Sequence, residues 1–180
     1  MRSAEQGGVI CHTFASPLVF LPFHPDRTII SSLMRPPRYT THLVTWQAAA
    51  PQLRAVRSEV FIHEQRIPET LEWDGKDPHA IHALATDPTG NPVGTGRLLL
   101  DGGLAQIGRM AVLPAWRGKG VGASLLRCLL DEARQRRAGR VFLNAQTYAV
   151  PFYERFGFVR EGAEFFEDGI PHYRMTLTLV

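Results

Sequence analysis

The sequence predicts a mixed α/β domain of the α+β kind, one sheet with helices packed on it. Three observations predict this class. In the middle of the chain, apolar strand-like runs are punctuated by Asp87-Pro88-Thr89-Gly90-Asn91 and Asp101-Gly102-Gly103, which are turn signals that make antiparallel hairpins. Before and after these hairpins lie stretches with apolar residues at helical spacing. The second of those stretches is followed by a short apolar run, which makes a strand–helix–strand crossover and so a sheet of mixed sense. A chain of 180 residues is long enough for one domain with its own core.

Each element has a local reason. Residues 1–38 carry several prolines, end in Pro36-Pro37 and show no sustained period, so a poorly ordered extension is expected there. Met34 is a candidate alternative translation start within it. The domain is expected over 39–180. Thr41 to Trp46 reads as a strand. Pro51 opens a helix with Leu53, Val56, Val60 and Phe61 on one face. A polar, acidic loop spans Glu64 to Pro78. Strands follow at Ala80–Thr86, Val93–Leu100 and Leu104–Val112. The next helix runs from about Val121 to Ala138, with Val121, Leu125, Leu129 and Ala133 on its buried face and Gly139 ending it. Val141–Ala145 is a strand, Pro151–Phe156 a short helix stopped by Gly157, and Phe158–Arg160 a strand. In the last strand, Tyr173, Met175, Leu177 and Leu179 alternate with Arg174, Thr176 and Thr178, a half-buried pattern.

Composition narrows the function classes. With 44% hydrophobic and 21% charged residues the chain reads as a globular protein. The net charge of +3 is too small to indicate a nucleic-acid partner. Lysine occurs only at Lys76 and Lys119, so arginine supplies nearly all the positive charge. Arg134, Arg136, Arg137 and Arg140 fall at a helix end, where cations offset the dipole. Two cysteines, Cys11 and Cys128, make neither a disulfide framework nor a metal site, and Cys128 among leucines reads as core. No metal is expected, because no histidine pair has ligand spacing. The apolar stretch Val9–Phe23 is too short and proline-broken for a membrane span, and Glu5 argues against a signal peptide. A cytoplasmic protein is the expectation, given this cysteine usage.

The most informative stretch is "AWRGKGVGASLLRCLLDEA" from Ala115. The first turn of a helix exposes unpaired N–H groups and a partial positive charge, a good seat for phosphate if no side chain blocks it. Gly118, Gly120 and Gly122 clear the approach, and Arg117 and Lys119 add charge at the rim. A P-loop needs Ser or Thr after its lysine, and Lys119 is followed by Gly120. A dinucleotide loop needs Gly-x-Gly-x-x-Gly, and the spacing here is Gly-x-Gly-x-Gly.

Arg117-x-x-Gly120-x-Gly122 resembles the acyl-CoA pyrophosphate loop of the GNAT superfamily of N-acetyltransferases. "RMAVLPAWRGKG" from Arg109 is similar to that family's strand and turn, and "YERFGF" from Tyr153 to its Tyr-x-x-x-Gly-Phe segment. "VRSEVFIHEQRIP", "EWDGKDPHAIHALA" and "DGIPHYRM" resemble the ElaA/YjcF-like branch. The resemblance covers residues 40 to 180. It implies the acyl-CoA N-acyltransferase fold, a mostly antiparallel mixed sheet splayed at its centre, with acetyl-CoA as co-substrate and an amine of a small molecule or peptide as acceptor.

Residue by residue, the resemblance implies that the backbone of Met110, Ala111 and Val112 lines the pantetheine arm, with an N–H of Met110 or Val112 stabilising the oxyanion. Arg117, Gly118, Lys119, Gly120, Val121 and Gly122 would hold the pyrophosphate. Tyr153 would protonate the departing thiolate. Asn144 and Gln146, ending a strand at the gap, are candidates to bond the cofactor arm, and capping of the loop explains them equally well. Glu64 and His82 are the expected proton-handling residues, with Glu72, Asp74 and His172 in an acceptor pocket whose acids, Asp77 among them, attract a cation. Their individual roles stay open at this stage. The competing reading is a non-catalytic acyl-CoA-binding or sensing domain, which keeps the loop but consumes no acetyl-CoA. Monomer and homodimer are both open, the second through pairing of the final strand.

Overall fold

The computed structural model describes residues 38–179. The expected extension, the start at Met34 and Cys11 lie outside the described residues. The sheet has the order β1-β2-β3-β4-β5-β7-β6. Its strands are β1 (Thr40–Thr45), β2 (Ile81–Thr86), β3 (Pro92–Asp101), β4 (Leu104–Val112), β5 (Arg140–Gln146), β6 (Val159–Glu167) and β7 (Ile170–Thr178). Every pair is antiparallel except β4–β5. That parallel pair holds for only three residue pairs, Leu104–Arg140, Ala105–Val141 and Gln106–Phe142, after which no partner joins the two strands. The sheet is therefore parted at its centre.

Helices α1 (Trp46–Arg57) and α3 (Val121–Gln135) cover opposite faces. Along β2, Ala83 and Ala85 join the cluster around Leu125 and Leu129 of α3, whereas Leu84 packs with Ala49 and Leu53 of α1. This is the two-residue period of a strand covered on both sides. Leu125, Leu126 and Leu129 are fully buried, each contributing about 1.5–3 kcal/mol by leaving water. The backbone of β3 lies close under α3 because Gly96 has no side chain: a Cβ there would stand 2.5 Å from Met110 Sδ and 2.8 Å from Leu129 Cδ1. Cys128 is buried in this core, as its leucine neighbours predict.

The structure corrects several expectations. The first helix starts at Trp46, not Pro51, because the Thr45 hydroxyl accepts from the Ala48 amide at 3.3 Å and caps it. Pro51 then lies inside, and packing of buried Ala49 and Leu53 offsets the backbone bond it cannot donate. That helix continues into a π-helical turn, Ser58–Glu64, and the acidic loop beyond contains a short helix α2 (Glu69–Glu72) and a 3₁₀ turn, Asp77–His79.

Helix α3 ends near Gln135 rather than Ala138. Arg137, at φ 59°, takes the left-handed position expected of Gly139, and the Ala138 amide donates to Ala133 O at 3.0 Å. Helix α4 (Val150–Glu154) is shorter than expected, with Gly157 at φ 85° beyond it. The final strand β7 lies between β5 and β6, so it offers no edge for pairing across a two-fold axis, and Thr176 is buried there rather than solvent-facing. The edges are β1 and β6. Among the described residues no helix is long and apolar enough to cross a membrane.

Candidate active site

Where β4 and β5 part, a cleft of about 260 Å³ opens. Its walls are the β4 edge from Gln106 to Val112, Leu143, Asn144 and Gln146 of β5, Tyr153 of α4 and His172 of β7, with Gln65 closing over the top. The parting is built into β4 by a bulge. Thr95 faces Ala111 but Arg97 faces Gly108, so β4 carries one residue more than β3 across this interval. Arg109, inside the bulge, is held at φ 53°, a conformation that costs a non-glycine residue of order 1–3 kcal/mol. Its guanidinium offsets that cost by bonding Glu72 Oε2 at 2.9 Å and the Leu71 and Glu72 carbonyls at 3.1 Å.

The glycine-rich loop lies at one mouth of this cleft, between β4 and α3. Gly118 and Gly120 sit at φ 71° and 86°, and Gly120 is the residue preceding the helix. Among the described residues, the backbone amides from Gly118 to Ala123 meet no acceptor; the next amide, Ser124, closes the first helical bond onto Gly120 O at 3.0 Å. No acidic residue enters the first turn of α3. Arg117 spans the mouth: its Nη1 and Nη2 reach Glu64 at 2.9 and 2.5 Å, and its Nε donates to Val112 O at 3.0 Å. The Arg117 hydrogen bond holds the Glu64 carboxyl below the ordinary range. Beside it, Gln65 and Gln146 bond each other across the cleft at 3.0 Å. The π-helical turn thus delivers two side chains, from Glu64 and Gln65, that bridge to the other wall.

Tyr153 is a wall residue whose hydroxyl meets no partner among the described residues. Burial, with Tyr148 adding to it, pushes its phenol well above the ordinary value, so it stays protonated. Asn144 lines the cleft and donates to Glu167 Oε2 at 2.9 Å. Met110, Ala111 and Val112 line it too, Ala111 with its methyl packed under Val56, Val60 and Phe61 so that only its backbone is available.

The histidines and acids of the sequence divide differently. His82 is fully buried on the α1 face; its Nε2–H donates to Asp77 O at 3.0 Å and its Nδ1 is sealed without a partner. Burial lowers its pKa, keeping the ring neutral. No substrate reaches it. Glu72, Asp74 and Asp77 do not form an open acidic pocket. They face Arg57, Arg97 and Arg109, with Arg57 bonded to Glu72 and, at 2.8 Å, to Asp77, and Arg97 to Asp74 at 2.6 and 2.8 Å and to Asp77 at 3.0 Å. Glu72 touches the cleft wall, but as the anchor of Arg109. His172, by contrast, is in the cleft wall.

Sequence reasoning missed Arg109, Gln65, Glu167 and Tyr148 as site residues. An arginine next to a glycine in a strand, Gly108-Arg109, was the one available signal of a bulge. Nothing local marked the partners that Arg57 and Arg97 find far along the chain.

Comparison with known proteins agrees with this geometry. The description "Acetyltransferase (GNAT) domain" matches residues 47–179. The uncharacterized N-acetyltransferase YjcF of Bacillus subtilis is 39% identical over 121 residues, 67% of this chain and 86% of that protein. Among solved structures, an acyl-CoA N-acyltransferase from Pseudomonas aeruginosa superposes with a TM-score of 0.69 at 31% identity, covering 77% of this chain and 98% of that one. Escherichia coli ElaA does so at 0.69 and 28%, with the same coverage of 77% and 98%.

Proposed function

Because the chain belongs to the GNAT acetyltransferase family, in its ElaA/YjcF-like branch, it is an acyltransferase that uses acyl-CoA, and we propose that it moves an acetyl group from acetyl-CoA to a primary amine of a small molecule or peptide. The observation that carries this is the run of acceptorless amides from Gly118 to Ala123 at the mouth of the parted sheet. A diphosphate is the ligand such a run takes, since several N–H groups and a helix dipole converge on one anion. From that anchor the pantetheine arm lies along the unpaired edge of β4 and brings the thioester between Met110 and Tyr153.

The chemistry follows from the groups along that path. The amine attacks the thioester carbonyl directly. A backbone N–H of Met110 or Val112 stabilises the oxygen as it gains charge. When the C–S bond breaks, Tyr153 gives its proton to the sulfur. Its phenol is protonated at neutral pH, as a proton donor must be. Arg117 and Lys119 supply charge around the diphosphate, Arg117 exchanging part of its contact with Glu64. A cytoplasmic reaction fits the cysteine usage of the chain.

The test is calorimetry of the full chain with acetyl-CoA, followed by thiol release with a panel of primary amines. Micromolar binding and amine-dependent release of CoA are expected. Heat of binding without release for any amine would favour the sensing reading, and no heat at all would overturn both.

A further inference from the structure

We infer that His172 is the general base of this reaction, taking the proton that an ammonium acceptor must lose before it attacks. This rests on the acetyl-transfer reading above. His172 stands on β7 opposite Gln146 of β5 and Phe165 of β6, so two strands fix its backbone. Its ring stacks on Phe165, centroids 6.0 Å apart at 25°. Its Nδ1 lies 2.8 Å from Ile170 O. A carbonyl only accepts, so Nδ1 carries the hydrogen and the lone pair of the neutral ring is on Nε2.

That lone pair has no partner among the described residues, and it is not sealed. The buried side-chain nitrogen or oxygen found there without a partner is Nδ1 of His82, not Nε2 of His172, although His172 is only 8% exposed. A ring in the cleft wall with this tautomer presents its basic atom to the space where the acyl group and the amine meet. His82 has the opposite tautomer and its lone pair faces protein.

The other charged groups on the walls are engaged elsewhere. Arg109 and Glu72 hold each other, Glu167 accepts from Asn144, and Glu64 stands at the mouth beside Arg117, outside the lining of the cleft that His172 shares. Asp168 is an exposed hairpin residue next to Gly169, and Tyr148 is an exposed phenol at the rim. Tyr153 is the acid.

The protons balance. The ammonium N–H bond breaks and Nε2–H forms. The freed lone pair makes the N–C bond and the carbonyl oxygen takes the π electrons. The oxyanion then collapses, the C–S electron pair leaves on sulfur, and Tyr153 protonates the thiolate. The second nitrogen proton returns through water to Tyr153. One proton, on His172, goes to solvent. The products are the amide and CoA thiol.

The experiment uses the full chain, His172→Gln and His172→Ala. Acetyl-CoA binding is measured by calorimetry, and thiol release with ethylamine, benzylamine, tyramine and glycinamide, and with hydroxylamine, which is already unprotonated at neutral pH. His172→Gln should bind acetyl-CoA as the wild type does. It should lose about 10²–10⁴-fold in kcat/KM with the ammonium acceptors and lose far less with hydroxylamine. Added imidazole should restore part of the rate in His172→Ala. Equal losses with every acceptor would overturn the base role while leaving acetyl transfer standing. A wild type that binds acetyl-CoA but releases no thiol with any acceptor would overturn both.

Discussion

Tyr153 and His82 are both buried side chains with a hydrogen-bonding atom that meets no partner, yet only one of them faces space. What separates them is which side of the sheet their strand or helix puts them on. Tyr153, on α4 just past β5, looks into the cleft; His82, at an even position of β2, looks into the α1 face with Leu84. The phenol can therefore take the proposed role of proton donor, and the imidazole cannot. Tyr153→Phe removes one oxygen and leaves the ring packing against Phe152 and Phe158 intact. A thiolate is a tolerable leaving group, so kcat should fall by about 10²-fold or less, with the dissociation constant for acetyl-CoA unchanged. Stopped-flow or steady-state thiol release measures this, and a wild-type kcat would remove Tyr153 from the mechanism.

At the scale of the element, the turn from β4 to α3 needs glycine at Gly120 but, contrary to what the sequence suggests, not at Gly122. Gly120 has φ 86°, and a Cβ there would stand 3.0 Å from the Tyr39 hydroxyl. Gly122 has ordinary helical geometry, and its Cβ would meet Phe152 and Val112 at a comfortable 3.7 Å. Gly120→Ala should distort the turn, cost about 1–2 kcal/mol of backbone strain and weaken acetyl-CoA binding by tenfold or more. Gly122→Ala should leave both melting temperature and affinity near those of the wild type. Calorimetry of the two variants side by side checks the contrast. Equal affinity for both would place the diphosphate elsewhere.

At the scale of the whole molecule, three arginines from α1, β3 and β4 converge on three acids of one loop, and this network ties the bulge to the α1 face. Burial pushes Asp74 and Asp77 up, but the hydrogen bonds and charges of Arg97 and Arg57 outweigh it and hold both below the ordinary carboxylate range. Glu72 goes the other way, since its burial outweighs Arg57 and Arg109. A depressed folded-state pKa stabilises the fold above the unfolded value of about 4 and is lost as pH falls through the folded one. Stability should therefore drop as pH is lowered below about 4, through Asp74 and Asp77. Asp77→Asn strands part of two buried guanidinium groups and should cost about 3–5 kcal/mol at neutral pH, with a shallower acid dependence than the wild type. Urea denaturation across pH measures both. An Asp77→Asn protein as stable as the wild type would show the network to be dispensable.

The element order, the hairpins, the crossover and the glycine-rich turn were legible in the sequence, because periodicity, turn residues and glycine spacing are local properties of the chain. That Tyr153 and Arg117 stand at one cleft was legible through motif resemblance, since each motif is a short stretch of the chain. The entry of α1 and the exit of α3 were misread because Pro51 and Gly139 are strong local signals that the Thr45 cap and the Arg137 turn outweigh. Roles that depend on which face of the sheet a side chain joins were not legible. Whether an acid meets an arginine 20 residues away, as Asp77 meets Arg57, or a histidine lines the cleft, as His172 does and His82 does not, is set by strand register and sheet order. Those are long-range pairings, and no short window of sequence contains both partners.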